Sequence, residues 1–254
     1  MSETRLKPIE KIGYGLGDFG SNVVFQTILI LLPAFYTDVF GLAPAAMGTM
    51  FLAVRLLDTV TDPIMGVIAD NTNTRWGKFR PYLLWFAIPF SVIFVLTFIT
   101  PDLSESGKLT YAYLTYALLM VLYTVVNIPY CALGGVITSD SQERVSANSY
   151  RFFIATSAGV LISFFSPGLV ERFGNGNQQA GYPYAMAVFG ILAVFAFFGC
   201  FYLTKERVRQ VSQTKGSFAL DFKTLLKNDQ WLVVAALFLV LLIPIVLRGA
   251  SQVY

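Results

Sequence analysis

The chain has 254 residues, of which 56% are hydrophobic and 13% charged, with a net charge of +3 and no histidine. A soluble domain carries about 25% charged residues, so most of this surface must meet an apolar medium. The absence of histidine excludes His-ligated metal sites and Ser-His-Asp hydrolases. Cys131 and Cys200 both lie in apolar runs, which argues against a disulfide framework.

Seven apolar segments follow one another along the chain. Each is long enough to cross about 30 Å of hydrocarbon as a helix. A backbone in lipid must satisfy its own polar groups, so helices are expected rather than open strands. The sequence thus predicts an all-α polytopic protein of the lipid bilayer. The segments are 12–40, 45–70, 80–100, 109–137, 150–170, 182–203 and 231–254.

Basic residues predict the orientation of these segments. If the N-terminus is cytoplasmic, the outside loops hold only Lys108 and Arg172 of the 18 Lys and Arg residues. This bias favours a cytoplasmic N-terminus. Residues 1–11 lack the apolar core and cleavage site of a signal peptide. We therefore expect a multi-pass protein of the cell inner membrane.

Three regions are predicted: a six-helix bundle over 1–203, a cytoplasmic linker over 204–230, and a seventh transmembrane helix over 231–254. The last segment reaches Tyr254 with no polar stretch behind it. A helix that ends in hydrocarbon leaves carbonyl groups unsatisfied. We expect a truncated or partial chain that lacks a C-terminal six-helix half, and we expect a monomer.

The second segment holds three charged residues. Arg55, Asp58 and Asp62 are spaced so that they share one helical face, with Thr61 beside them. Charges in a membrane cost about 2.5–3.5 kcal/mol each, so each needs a reason. Two carboxylates and a hydroxyl group suit Na⁺ or a proton, and Arg55 would offset their repulsion. The alternative is a charge-paired packing cluster between helices.

A polar stripe follows the first segment. Asp18, Asn22 and Gln26 recur every four residues on an otherwise apolar helix. Such groups at membrane depth can bind sugar hydroxyls, although contacts that hold helices together would explain them too. The glycines around Asp18 do not form a nucleotide loop, because no strand precedes them.

The fourth and fifth segments add further polar candidates. Tyr123, Thr124, Asn127 and Cys131 lie on neighbouring positions of one face of the fourth segment. Asn127 could bind a hydroxyl group or be a satisfied core amide. Arg151 opens the fifth segment and could donate two hydrogen bonds to a sugar or a uronate carboxylate, or extend to the membrane interface.

A charged loop follows the second segment. Asp70, Arg75, Lys78 and Arg80 could pair across the cytoplasmic face and hold one conformation. Simple anchoring of basic residues on the inner side of the membrane explains the same pattern.

Several motifs in order resemble one transporter family. The strings RLLDTVTDPIMG, RWGKFRP, YTVVNIPYCALGGVIT and YRFF are similar to those of the glycoside–pentoside–hexuronide:cation symporters. This is a branch of the major facilitator superfamily typified by the melibiose permease. The match runs from about Lys11 to Arg207 and looks closest to bacterial members that carry xylosides or related pentosides.

The resemblance implies a twelve-helix fold, of which this chain holds the first six helices and the start of the seventh. The family's cation site maps onto Asp58, Asp62 and Thr124. Melibiose-type members carry Asn where this chain has Thr61, which leaves both Na⁺ and H⁺ open.

The family's sugar site maps onto Asn22, Asn127, Cys131 and Arg151. Melibiose-type members carry Asp, Asp and Trp at the first three positions, so melibiose is not the expected substrate.

These observations predict symport of a sugar with a cation, with no cofactor besides the coupling ion, no catalytic residues and no nucleic-acid partner. A non-transporting fragment or sensor that retains half of the fold is the alternative. An intramembrane enzyme is disfavoured, because no Ser or Cys lies beside a credible base.

Overall fold

The structure is a computed structural model that describes residues 5–208, 229–230, 232–233, 236–237 and 240. Within residues 5–208 the chain forms six long helices, and the first of them continues into a π-helical turn. β-type pairing in this range is confined to one isolated bridge between Thr74 and Gly77. The elements are α1 (Pro8–Ala34), the π turn (Phe35–Val39), α2 (Pro44–Asn71), α3 (Arg80–Thr97), α4 (Glu105–Val136), α5 (Ser141–Gly174) and α6 (Gln178–Leu203).

Five of these helices are long and apolar enough to cross a membrane: α1 with its π turn, α3, α4, α5 and α6. The second helix, α2, is not among them, because Arg55, Asp58 and Asp62 interrupt its apolar sequence. Its 28 residues still span about 42 Å at 1.5 Å per residue. The prediction of an all-α, multi-pass membrane protein is confirmed.

Apart from α3, the helices begin before the predicted apolar segments do. α5 begins at Ser141 rather than near 150, because the Asp140 side chain accepts hydrogen bonds from the backbone N–H groups of Gln142 and Glu143. Ser104 and Asn177 cap α4 and α6 in the same way. Apolar runs mark the part of a helix in hydrocarbon, whereas polar caps decide where it starts.

Helix α1 lies between several neighbours, packing against α4, α5 and α6. Glycine makes this approach possible: a Cβ atom at Gly17 would overlap the Tyr130 ring and lie 2.9 Å from the Cys200 sulfur. Helix α2 packs on α4, and α3 packs on α4 and α6. Small residues at such contacts let membrane helices approach closely.

The bundle extends beyond the boundary predicted at residue 203. Two compact units are present, Met1–Arg209 and Gln210–Tyr254. Residues 204–208 remain with the first unit, since the backbone N–H groups of Arg207 and Val208 donate to the Val136 carbonyl group at 2.9 and 3.0 Å. In the second unit the described residues are helical. The rest of the predicted linker and seventh helix lies outside the described residues.

Glu206 caps the N-terminus of α3. Its carboxylate accepts hydrogen bonds from the backbone N–H groups of Lys78, Phe79 and Arg80 at 2.8, 2.8 and 3.0 Å. Gly77 precedes them with a φ of +114°, and a Cβ atom there would overlap the Glu206 carboxylate. The first N–H groups of a helix lack internal partners and favour an anion, so Glu206 ties the end of α6 to the start of α3.

Replacing Glu206 with alanine should therefore destabilise the bundle. The substitution leaves three backbone N–H groups at the start of α3 without their acceptor, and loss of a helix cap costs about 0.5–2 kcal/mol. Thermal unfolding of the purified full-length protein in detergent measures the effect. Glu171→Ala is the matched control, because Glu171 is exposed. Equal unfolding midpoints for the two variants would contradict the prediction.

Candidate cation and substrate sites

Two acidic side chains of α2, Asp58 and Asp62, lie at half-buried positions. The Thr124 hydroxyl group donates a hydrogen bond to Asp62 Oδ1 at 2.8 Å, which links the two helices. One helical turn before Asp62, Asp58 Oδ2 lies 3.6 Å from Arg55 Nη1. The Thr61 hydroxyl group donates a long hydrogen bond of 3.4 Å to the Asp58 backbone carbonyl oxygen. The structure thus brings together Asp62 and Thr124, which the resemblance assigned to one cation site; that they bind a cation stays a prediction.

The Asp58 carboxylate is only partly satisfied. Its Oδ1 atom is buried and has no hydrogen-bond partner among the described residues. The Asp58 side chain is 13% exposed, whereas its partner Arg55 is 58% exposed. Leaving a buried carboxylate oxygen without a partner is costly, and a proton or a hard cation would remove that cost.

Oxygen atoms alone would hold such an ion. Among the described residues, no cluster of three or more His, Cys, Asp or Glu side chains could hold a metal ion. Two carboxylates and a hydroxyl group offer oxygen ligands of the kind that hard cations accept. The donor set therefore fits a hard cation or a proton.

A second polar region lies between α1 and α5. Here a cavity of about 830 Å³ is lined by Asp18, Asn22 and Gln26 of α1 and by Arg151 of α5. Its remaining wall belongs to α5 and is largely apolar or small: Phe152, Ala155, Thr156, Gly159, Val160, Ser163 and Phe164. Four of the predicted substrate-binding residues thus share one cavity.

An ion pair organises the polar end of this cavity. Arg151 Nε donates to Asp18 Oδ2 at 2.7 Å, and Asn22 Nδ2 donates to Asp18 Oδ1 at 3.0 Å. Arg151 Nη1 also lies 3.4 Å from the Tyr14 hydroxyl oxygen. Asp18 is 8% exposed, so its charge is buried but fully paired.

Three other predicted substrate-binding residues do not line this cavity. Tyr123 packs between the rings of Phe25 and Phe90, with centroids 5.7 and 6.3 Å away. Asn127 is half-buried, and Cys131 is exposed. They share a face of α4, but α5 rather than α4 forms the wall opposite α1 at this cavity.

A smaller cavity of about 140 Å³ lies where α1, α2 and α4 meet. It is lined by Phe25, Arg55, Tyr116 and Met120, with Ile28, Leu29, Pro33 and Phe51 completing the wall. Phe25 belongs to this small cavity and Gln26 to the large one. Neighbouring residues of α1 thus contribute to both regions.

The charged residues around the end of α2, which were predicted to pair with one another across the cytoplasmic face, have other partners in the structure. Among the described residues, Asp70 makes no ion pair through its carboxylate; Lys78 Nζ instead donates to the Asp70 carbonyl oxygen at 3.2 Å. Arg75 stacks on Trp76, 4.4 Å from the ring centroid, and Arg80 donates to the carbonyl oxygens of Trp76 and Phe201. An ion pair with an exposed carboxylate contributes little stability. The carbonyl groups at the end of a helix lack donors within the helix, so basic side chains bind them instead.

Sequence reasoning missed Tyr14, Glu206 and the α5 wall of the cavity. The α5 wall had a detectable signal, since Arg151, Ala155, Gly159 and Ser163 recur every four residues and so share one face of a helix. Tyr14 and Glu206 act across helices far apart in the sequence, and no local pattern marks them.

The structure combines membrane-crossing helices with a polar cavity and half-buried carboxylates, and ionisable groups within membrane helices are typical of transport proteins. The family model described as MFS/sugar transport protein matches residues 13–254. The chain therefore belongs to the MFS/sugar transport protein family, and the resemblance drawn from its motifs is confirmed.

Curated relatives agree with this assignment. The chain is 49% identical to the candidate glycoside/cation symporter YagG of Escherichia coli (strain K12), over 99% of this chain and 55% of the relative. It is 45% identical to the inner membrane symporter YicJ of the same organism, over 96% and 53%. It is 39% identical to the isoprimeverose transporter of Lactiplantibacillus pentosus, over 96% and 52%. The chain spans about half the length of these relatives.

Proposed function

We propose that the full-length protein carrying this chain is a symporter that moves a glycoside-type sugar together with Na⁺ or H⁺. The printed names of the relatives support the substrate class: one is a candidate glycoside/cation symporter and another an isoprimeverose transporter. Asp58, Asp62, Thr61 and Thr124 would hold the cation. Asn22, Gln26 and Arg151 would contact the sugar.

One observation carries the proposal: the link between Asp62 of α2 and Thr124 of α4, one helical turn from the unpaired Asp58 Oδ1. A cation bound there would draw ligands from two helices. Its arrival would replace the Thr124–Asp62 hydrogen bond, which changes how α2 meets α4. An ion that alters a helix contact can change the affinity of a second site.

A physical route joins the two regions. Tyr123 immediately precedes Thr124 in α4, and its ring centroid lies 5.7 Å from that of Phe25 on α1. Gln26, which follows Phe25 in α1, lines the large cavity. A shift of α4 on cation binding would therefore reach the cavity through Tyr123 and Phe25. Linkage is reciprocal, so sugar must tighten cation binding by the same factor.

The protein's setting follows from the same proposal. A cytoplasmic N-terminus and an inner-membrane location agree with the distribution of basic residues. A second six-helix half would close the cavity, consistent with relatives about twice as long as this chain. We propose that the active protein is a monomer.

Uptake into proteoliposomes tests the function. Full-length protein should accumulate labelled xylosides or glucosides when an inward Na⁺ or H⁺ gradient is imposed, and collapse of that gradient should abolish accumulation. Applying the gradients separately identifies the ion. Sugar that only equilibrates, whatever the gradient, would refute symport. Sugar binding without any uptake would favour the sensor alternative.

A further inference from the structure

We propose that Asp18 is a positioning residue, which orients Arg151 and Asn22 toward the sugar without contacting the sugar itself. This inference rests on the proposed function and assigns a role within the same cavity. It differs from the sequence prediction, in which Asp18 was itself a sugar-binding residue.

Both carboxylate oxygens of Asp18 are already occupied. Oδ2 accepts from Arg151 Nε at 2.7 Å, and Oδ1 accepts from Asn22 Nδ2 at 3.0 Å. Asp18 is also only 8% exposed, so little of the carboxylate remains open to a sugar hydroxyl group. The contact with Arg151 pairs two opposite charges through a short hydrogen bond, which a neutral sugar hydroxyl group cannot match.

Asp18 also decides which end of the Asn22 amide faces the cavity. The Nδ2 group donates to Asp18 Oδ1 and to the Asp18 carbonyl oxygen at 2.9 Å. A flipped amide would place its oxygen against these two oxygens, which is unfavourable. The Asn22 carbonyl oxygen, which makes no hydrogen bond with a described residue, is thereby held as an acceptor for the ligand.

The guanidinium group of Arg151 is fixed by the same carboxylate. Its Nε atom is used by Asp18, and Nη1 has a long contact of 3.4 Å with Tyr14. Nη2 has no hydrogen-bond partner among the described residues. Arg151 and Asn22 both bind Asp18 and both line the cavity, so the first can offer a donor and the second an acceptor to one ligand. An acceptor next to a donor matches a pair of sugar hydroxyl groups.

The charge of Asp18 has a second effect. Asp18 offsets the positive charge of Arg151, whose side chain is 23% exposed. The attraction of Arg151 for an anionic ligand is therefore weaker. Removing the negative charge would free Arg151 for a uronate carboxylate, while a neutral sugar would lose the two oriented partners. The two ligand types should therefore respond in opposite ways.

The test compares Asp18→Asn with wild type in the purified full-length protein, by calorimetric binding of methyl xyloside, methyl glucoside and methyl glucuronide. Affinity for the neutral glycosides should fall by about 10- to 100-fold, since each lost charge-assisted contact is worth about that factor. The ratio of glucuronide to neutral-glycoside affinity should rise at least about tenfold. Equal loss for all three ligands would indicate simple damage to the fold and overturn the proposal.

A double-mutant cycle with Arg151→Lys separates positioning from direct contact. If Asp18 acts through Arg151, the double variant should bind neutral glycosides no more weakly than the weaker single variant. Additive losses would make Asp18 a direct ligand and overturn the proposal while leaving the proposed function intact. Wild type that binds none of the three ligands would overturn both.

Two further variants keep the result interpretable. Asp102→Asn is the matched control, since Asp102 is exposed in the loop before α4, and all three affinities should be unchanged. If Asp18→Asn does not fold, Asp18→Ser removes the charge with a smaller side chain and should give the same shift in ratio.

Discussion

Replacing Asp62 with asparagine is expected to abolish the effect of the coupling cation on sugar affinity. Coupling between two sites is typically worth about 5- to 150-fold in affinity, and the ratio measured with and without cation should fall to about one. Asparagine removes the negative charge and offers one carbonyl oxygen to the ion. It can still accept the hydrogen bond that Thr124 donates to Asp62 Oδ1, so the contact between α2 and α4 is retained.

Sugar binding to purified full-length protein, titrated at several Na⁺ concentrations and pH values, measures this effect. The variant should still bind sugar with an affinity close to that of cation-free wild type. Asp102→Asn makes the same chemical change in an exposed loop and should keep full cation dependence. Unchanged cation dependence in Asp62→Asn would show that the ion binds elsewhere.

Replacing Gly134 with alanine is expected to destabilise the bundle and weaken sugar binding together. A Cβ atom at Gly134 would overlap the hydroxyl oxygen of Tyr14. Tyr14 is 1% exposed and stacks on Tyr130 with ring centroids 5.1 Å apart, so it has no free space to enter. Overpacking of this kind costs about 1–3 kcal/mol. The displaced Tyr14 would also lose its contact with Arg151.

Gly135→Ala is the control for this prediction. A Cβ atom at Gly135 meets nothing within 4 Å, and alanine favours a helix by up to about 1 kcal/mol over glycine. Thermal unfolding in detergent should therefore give a lower midpoint for Gly134→Ala and an equal or higher one for Gly135→Ala. If the two variants unfold at the same temperature, Gly134 is not needed for close packing.

The helices could be located from the sequence because apolar length is a local property. A segment in hydrocarbon must be apolar and about 20 residues long, which placed each described helix within a few residues except at the start of α5. The α5 start was displaced because Asp140 supplies a cap outside the apolar run. The face shared by Arg55, Asp58 and Asp62 could likewise be derived from helical periodicity.

The partners of the polar residues could be predicted only in part. Thr124 was paired with the acidic residues of α2 through the resemblance to a family, not through spacing. The ion pair of Asp18 with Arg151 joins residues separated by 133 positions, and periodicity gives no information across that distance. Tyr123 was assigned to the sugar site because it shares a polar face of α4, and Asn127 and Cys131 were assigned to it through the resemblance as well.

The sequence by itself determined that this protein is a helical membrane bundle with buried charges, because lipid admits few alternatives for the backbone. Only the tertiary structure decided which charges meet. It placed Asp62 against Thr124, and Asp18 against both Arg151 and Asn22. Such pairing depends on the distance and the rotation at which two helices pack. Contacts between helices, such as that of Gly17 with Tyr130, set both quantities, and the residue pattern of one segment does not.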